Sequence, residues 1–534
     1  MIARIVRAVA LVAIIAGVVA RFDALDRKTF WTDETFSALR VYGHLQDDLF
    51  ATFDGRLHRA SALLALQGRS DRGLSATAAS LREEPQRGPL YYMAAYGWTS
   101  VAGDGVIAMR AFSAVLGIAG IALAFFVGRR LGGADGGPML AALVALSPVA
   151  IRFSQQFREY VLVADVTLLT AWLLLRALEL PSPGRFAAYG CAAAAALYTN
   201  PTLACLVVAQ GAAVLCDPQR RAAMRGYLTA AVAAAVAYAP WALQAAHASS
   251  RASAGVAWAS SRYGASETLA KWLFNIGAVF FDTEYAHRAL AVVLLPLLSL
   301  ALLACAMAVR EARRSRAARL TIATVLATSV PLAVLDAWHH AHFSLVTRYQ
   351  MTTWIGLQMA VAFALATAAN SQRLAVRRLA VCGFVVIAGA GLGAAALDRE
   401  YAEWWDNNDH VSESAVGAVV RAHAEAVVVS SDAPEGLFNT FVLARYLAPD
   451  TPMLLIGSKT PRTVPRGTTV FLFAPSSALR TRIAERLAMP PHNVSPDIGL
   501  AIPNLNAARA DDPMREDNAL WIVRSVSGVA SLYF

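Results

Sequence analysis

The chain has 534 residues, 57% of them hydrophobic and 16% charged, against roughly 25% charged in an average soluble domain, which excludes a soluble globular enzyme. The net charge of +10 does not point to nucleic acid, because the arginines cluster in short segments between apolar runs, where they report topology. The five cysteines, Cys191, Cys205, Cys216, Cys305 and Cys382, lie in or beside apolar runs with no CxxC or Cys/His spacing, so neither a disulfide framework nor structural zinc is expected.

Residues 1–21 carry Arg4 and Arg7 ahead of a short apolar core. Many more spans follow, so this segment reads as an uncleaved signal anchor with a cytoplasmic N-terminus. Apolar runs of spanning length lie at about 4–21, 109–128, 138–155, 160–178, 186–199, 201–216, 226–244, 287–309, 319–337, 350–369 and 379–397, eleven in all. The stretch 89–103, PLYYMAAYGWTSVAG, is short and aromatic-rich and reads as an interfacial, juxtamembrane helix. Leaving it uncrossed puts Arg129/Arg130 and the basic loops 217–225, 310–319 and 371–378 on the N-terminal side, as the positive-inside rule requires. A crossing there would turn all of them outward.

The expected fold is therefore mainly α: a polytopic transmembrane helical bundle over 1–397, with an outer loop 22–108 containing juxtamembrane helices. The turns 157–160 and 338–349 and the segment 245–286 share that outer face. Composition changes in the tail, 398–534, where AVVVSS, PMLLIG and TTVFLFAP predict strands and EGLFNTFVLARYL and SALRTRIAERLAM predict helices. This is a small extracytoplasmic α/β domain. It carries no glycine-rich phosphate fingerprint, and the chain has no internal repeat.

The polar residues gather on the outer face. In FWTDETFSALRV, Thr32 or Asp33 reads as an N-cap with Glu34 as a first-turn acid. Alternatively, one carboxylate takes the proton of an attacking hydroxyl while its neighbour orients it or helps hold a divalent cation. Apposed like charges push one carboxyl's pKa upward, which suits a base. In RGPLYYMAAYGW, Pro89 stands where a helix begins and the aromatics suit a headgroup belt, with Arg87 as a phosphate or carboxylate partner. SPVAIRFSQQFREYVL places Arg152, Gln155, Gln156, Arg158, Glu159 and Tyr160 between two spans. These are solvated loop charges, or they face a cavity or a partner. WHHAHFSLVTRYQ groups His339, His340, His342, Arg348 and Tyr349. Adjacent histidines need not converge on a metal, whereas Arg348 with Tyr349 suits an anionic group. Asp165, inside a span, has no assigned role.

In order and setting these elements resemble the GT-C glycosyltransferases, specifically the bacterial branch related to protein O-mannosyltransferases and to the aminoarabinose transferase that modifies lipid A. The matching pieces are the acidic pair Asp33-Glu34, GPLYY at 88–92, Arg110 opening RAFSAVLG, and the SP..I..SQ..R.Y element from Ser147 to Tyr160. YTN at 198–200, where relatives often have YTH, and Arg348-Tyr349 complete the set, which covers about residues 1–370. The resemblance implies an inverting enzyme that takes a sugar from a polyprenyl-phosphate carrier to a lipid, glycan or protein acceptor at the outer face of the cytoplasmic membrane. It implies Asp33 and Glu34 as base or cation ligand and Arg87, Arg158, Arg348 and Tyr349 as the donor-phosphate site. Tyr91, Tyr92, Glu159, Tyr160, Asn200, His339 and His340 are then substrate-binding, and any divalent cation draws on Asp33, Glu34 and His340. The sequence departs from the pattern at Arg87-Gly88, where His-Pro or Lys-Pro is common, and at Glu159, where proline is expected before the tyrosine. The expected partners are the lipid-linked donor, membrane lipids and the acceptor, with no nucleic acid. Rival readings are a transporter or flippase of lipid-linked saccharides, which predicts charges inside spans, an O-antigen-ligase-type enzyme using a diphosphate donor, and a non-catalytic membrane scaffold with a binding tail.

Overall fold

Glycine and proline punctuate the apolar runs, and they decide how each run is realised in the computed structural model. The structure describes residues 2–84, 87–217, 220–247, 263–282, 292–399, 413–431, 434–457, 469–475, 492–493 and 520–523. The chain divides into two compact units: Met1–Leu25, Glu84–Ala94 and Met109–Glu400 form one, and Asp26–Glu83, Ala95–Ala108 and Tyr401–Phe534 the other.

The first unit is helical. Among the described residues, eight helices are long and apolar enough to cross a membrane, against the eleven runs expected. The difference has local causes. The runs 109–128 and 138–155 fall on one helical stretch, Val106–Leu146, broken at Gly132 and Gly133, the latter with φ of 67°. Around that break a Cβ on Gly128 would meet the carbonyl oxygen of Gly136 at 2.2 Å, and one on Gly136 would meet that of Gly128 at 2.4 Å. The two arms therefore double back in backbone contact, a packing that only small residues permit. The second arm stops at Leu146, and Ser147-Pro148 starts a separate short helix, Pro148–Ser154. The runs 186–199 and 201–216 form Pro183–Thr199 and Leu203–Leu215, of 17 and 13 residues. At 1.5 Å per residue these are roughly 26 and 20 Å long, short of the hydrocarbon core of about 30 Å.

Of these eight spans, Thr347–Ala369, which opens with Arg348's turn, is the most enclosed, with 83% of its apolar window buried. At the end of the first helix, Arg21 is fully buried and donates to Ser154 Oγ and to the carbonyls of Gly17, Val144 and Ala145. Gln155 Nε2 donates to the carbonyls of Ala20 and Asp23, and Arg110 donates to that of Leu25. These contacts fasten the segment 144–155 and so fix the position of the turn that follows it. Helix Pro89–Ala102 has 14 residues, roughly 21 Å, and begins at the proline as expected.

The second unit is built on a mixed sheet. Strands β1 (Asp54–Arg59), β2 (Ala426–Ser431), β3 (Pro452–Ile456), β4 (Thr469–Phe473), β5 (His492–Asn493) and β6 (Leu520–Val523) are ordered β1-β3-β2-β4-β6-β5. β2 lies parallel between β3 and β4, and its unbroken buried run is what a strand covered on both faces requires. The three apolar strands of the tail and the helix Pro434–Ala444 stand where the sequence predicts them; the expected helix at 477–489 lies outside the described residues. β1 was not anticipated. It is a polar stretch, DGRLHR, that pairs antiparallel with β3. Leu39, Leu49, Phe53, Ala60 and Leu63 share one apolar core with Val428, Phe441, Met453 and Phe471, so the early loop and the tail fold together.

His44 lies buried in this unit, in the turn between helices Thr32–Val41 and Gln46–Ala51. Burial pushes its pKa down to about 4, with Arg72 and Arg40 adding to the effect and Asp48 opposing it. Unfolded, the imidazole titrates near 6.5. Between these values the unfolded chain holds more protons than the folded one, so stability falls as pH drops through that window. Melting in detergent should therefore move to lower temperature from pH 7 to pH 4.5, with the folding equilibrium weakening by at most about tenfold per pH unit. His44→Gln should flatten that slope; an unchanged slope would place the acid sensitivity elsewhere.

Candidate active site

Four of the candidate residues of the helical unit, Tyr92, Arg158, Glu159 and Tyr160, meet at the turn between Pro148–Ser154 and Tyr160–Glu179. Tyr92 donates its hydroxyl to Glu159 Oε2 at 2.7 Å, across 67 residues of sequence. The same carboxylate oxygen lies 3.4 Å from Arg158 Nε, and Arg158 Nη2 donates to the Tyr160 hydroxyl at 3.1 Å. Arg158, Glu159 and Tyr160 are each 3% exposed and Tyr92 is fully buried. Charges so placed are tolerable only as a mutually bonded set. Burial pushes the Tyr92 hydroxyl well above its usual range, with Arg158 opposing and Glu159 adding to the effect, so it acts as a donor. Tyr91, also fully buried, bonds Ser113 Oγ at 2.7 Å and stacks near Phe112 and Phe157. On the far side of the short helix, Arg152 pairs with Asp282, both buried.

Gly88 explains one departure from the family pattern. A Cβ there would lie 2.2 Å from the carbonyl oxygen of Tyr198 and 2.3 Å from that of Thr199, so a side chain at this position has no room. GPLYY is thereby seated on the end of helix Pro183–Thr199, which is the YTN motif. Asn200 Oδ1 accepts from the backbone N–H and hydroxyl of Thr202, at 3.0 and 2.7 Å, an Asx turn that starts the next helix. Gly88→Ala should destabilise the fold by roughly 1–3 kcal/mol, read as a lower melting temperature; unchanged melting would show that the helix end yields freely. Arg87 Nε pairs with Glu84 at 2.9 Å, the i, i+3 spacing being the signal in the sequence.

Arg348 and Tyr349 lie on a 3-10 turn, Thr347–Gln350, with the guanidinium 5.4 Å from the ring centroid. Asp336 secures the approach to this turn by accepting from the N–H groups of Phe343 and Ser344, at 2.6 and 2.8 Å. Asn275 Nδ2 and Trp354 Nε1 hold the carbonyls of Leu345 and Thr347, each at 2.9 Å. A Thr167–Thr352 hydroxyl bond of 3.4 Å ties the helix that follows to helix Tyr160–Glu179. His339 and His340 are exposed at the end of helix Arg316–His339, with His340 in the left-handed region at φ 56°. His342 lies edge-on to Tyr263. Among the described residues no three His, Cys, Asp or Glu side chains are placed to hold a metal ion.

Asp33 and Glu34 belong to the other unit, in the first turn of helix Thr32–Val41. The cap expected at Thr32 or Asp33 is corrected: the N-cap is Trp31, in extended conformation and with no side-chain cap bond. Thr32 is already the first residue inside the helix, and its hydroxyl donates to Asn439 Oδ1 at 2.7 Å. Glu34 is fully buried, and Asp33 is partly exposed. The end of this helix is fixed by Ser80 Oγ and Thr77 Oγ1, which donate to the carbonyls of Arg40 and Val41 at 2.8 and 2.7 Å, and by the Arg40–Glu83 pair at 2.8 Å. None of these partners, 36 to 407 residues distant, carries a sequence signal.

Comparison with known proteins gives a family match over part of the chain and a fold likeness over nearly all of it. Residues 86–243 match the family described as dolichyl-phosphate-mannose-protein mannosyltransferase; the segment contains GPLYY, Arg110, the FREY turn and YTN. Over nearly its whole length the chain is similar to ArnT from Cupriavidus metallidurans bound to undecaprenyl phosphate, with 13% identity and a TM-score of 0.52, covering 97% of this chain and 98% of that one. ArnT from the same organism in the apo state matches at 13% identity and a TM-score of 0.50, over 91% and 95%. The archaeal oligosaccharyltransferase AglB from Archaeoglobus fulgidus, in complex with an inhibitory peptide and a dolichol-phosphate, gives 11% identity and a TM-score of 0.49, over 83% and 64%. No curated protein matches the sequence. The chain is a multi-pass membrane protein with the ArnT-like GT-C fold, and it resembles the GT-C glycosyltransferases in its mannosyltransferase-related branch.

Proposed function

We propose that the protein is an inverting glycosyltransferase that moves a sugar from a polyprenyl-phosphate donor to a lipid, glycan or protein acceptor on the outer face of the cytoplasmic membrane. The observation that carries this reading is the convergence, inside the matched segment 86–243, of three motifs distant in sequence: Gly88 on Tyr198 and Thr199, and Tyr92 on Glu159 beside Arg158. In the reaction, Asp33 or Glu34 accepts the proton of the acceptor hydroxyl as its oxygen bonds to the anomeric carbon. The bond from that carbon to the carrier phosphate breaks on the opposite face, and polyprenyl phosphate leaves with the electron pair. Arg348 and Arg158, aided by Arg87 and Tyr349, stabilise the departing phosphate, since guanidinium forks onto its oxygens and keeps its charge at any working pH. Tyr91, Tyr160, Asn200, His339 and His340 are assigned to holding or flanking the substrate. The described residues do not assemble a metal ligand set, so no step is routed through a cation.

A transport reading expects charges inside spans. Arg21 and Asp165 are such charges, but Arg21 is bonded to four acceptors and Asp165 is packed where a Cβ on Gly120 would touch it at 2.3 Å. The Arg21 bonds tie the first helix to the segment 144–154. The test is release of free carrier phosphate by the purified protein in nanodiscs from a panel of polyprenyl-phosphate sugars, with water and added lipid, glycan and peptide hydroxyls as acceptors of the sugar. Release with wild type supports transfer. Carrier binding without release from any donor would favour the transporter or scaffold.

A further inference from the structure

We infer that the C-terminal α/β fold is the positioning element of the acidic pair, and that Asn439, acting through Thr32, is a positioning residue for the base. The inference rests on the reading above that Asp33 or Glu34 is that base. Helix Thr32–Val41 has ten residues, too few to persist alone in water, and its N-cap contributes no side-chain bond. The first turn is held from outside instead. Thr32 Oγ1 donates to Asn439 Oδ1 at 2.7 Å, and Asn439 is 4% exposed on helix Pro434–Ala444. One turn further, the Phe36 and Phe438 rings meet with centroids 4.6 Å apart.

The chain entering the helix is gripped by the same region. Phe30 N–H donates to the Tyr446 hydroxyl at 2.6 Å, and the Arg445 guanidinium lies 4.4 Å from the Phe30 ring centroid. Arg445 is itself fixed by Gln67 Oε1 at 2.9 Å, and Gln67 Nε2 donates to the Phe441 carbonyl at 2.6 Å. Polar, aromatic and backbone contacts thus converge on residues 30–36 from 438–446. Asp33 and Glu34 follow Thr32 directly, so a tilt of that turn moves both carboxylates. Proton abstraction in an assembled complex is steeply sensitive to such displacement, about 10²-fold for an ångström. The tail is therefore part of the catalytic geometry rather than an appended binding module.

The experiment uses full-length protein in nanodiscs, with undecaprenyl-phosphate-linked mannose, glucose and arabinose as probes and free undecaprenyl phosphate as readout. Thr32→Val, isosteric but without the hydroxyl, and Asn439→Ala should each lower kcat about tenfold while donor KM stays within about twofold. Thr32→Ser should keep most of the wild-type kcat, and the Thr32→Val/Asn439→Ala double variant should be no slower than the worse single variant, because both remove one contact. If Asp33→Asn or Glu34→Gln abolishes turnover while Thr32→Val and Asn439→Ala run at the wild-type rate, the positioning role is wrong and the base assignment stands. Loss confined to melting temperature and donor KM would show a merely structural contact and overturn it too. Full turnover in both acidic-pair variants, or none from any probe in wild type, would remove the base reading and this inference with it.

Discussion

Asp33→Asn and Glu34→Gln, made separately, should divide into one variant that loses about 10²–10⁴-fold in carrier-phosphate release and one that loses less. Only one carboxylate receives the acceptor proton in the transition state; its neighbour acts by orientation. The asymmetry of burial, with Glu34 enclosed and Asp33 partly exposed, ensures that the two positions are not equivalent. Both exchanges preserve side-chain size, so melting should stay close to wild type. Donor binding should also persist, because the phosphate ligands are assigned to arginines. Equal wild-type rates in both variants would leave the reaction without its proposed base.

The second large effect concerns the buried Arg158–Glu159 pair. Glu159→Ala leaves the Arg158 guanidinium enclosed without the carboxylate 3.4 Å from its Nε and strands the Tyr92 hydroxyl. Breaking one side of such a pair costs about 3–5 kcal/mol, expected as a strongly lowered melting temperature and poor recovery from the membrane. The apolar double replacement Arg158→Met/Glu159→Leu removes both charges and should recover much of that stability. It should remain inactive, because the donor phosphate loses Arg158. Melting restored without activity separates the structural role of the pair from its role toward phosphate; melting restored with full activity would free Arg158 from the donor site.

The site was legible in part because its elements have local signatures. Pro89 begins its helix for the reason the sequence suggests, and Arg87, read as a phosphate or carboxylate partner, pairs with the Glu84 carboxylate. Glu159, read either as a solvated loop charge or as facing a cavity or a partner, is buried and accepts from Tyr92, its partner 67 residues away. Asn200, assigned to substrate by resemblance, has its oxygen engaged by Thr202. The cap predicted at Thr32 or Asp33 is displaced to Trp31 because the helix begins at Thr32 itself, after an extended Trp31.

The apolar runs by themselves determined a polytopic helical protein, and the short apolar runs at 426–431, 452–456 and 469–473 determined the strands of the tail. Such readings depend on periodicity and hydropathy within one element, which short-range physics dictates. Tertiary structure alone decided that the arms of the expected hairpin close in backbone contact at Gly128 and Gly136, that the polar segment DGRLHR becomes an edge strand on β3, and that residues 407 apart fix the acidic turn. A hydroxyl or carboxylate has many possible partners of equal local merit, and the choice among them is made by which backbones the buried apolar core brings within 3 Å or so.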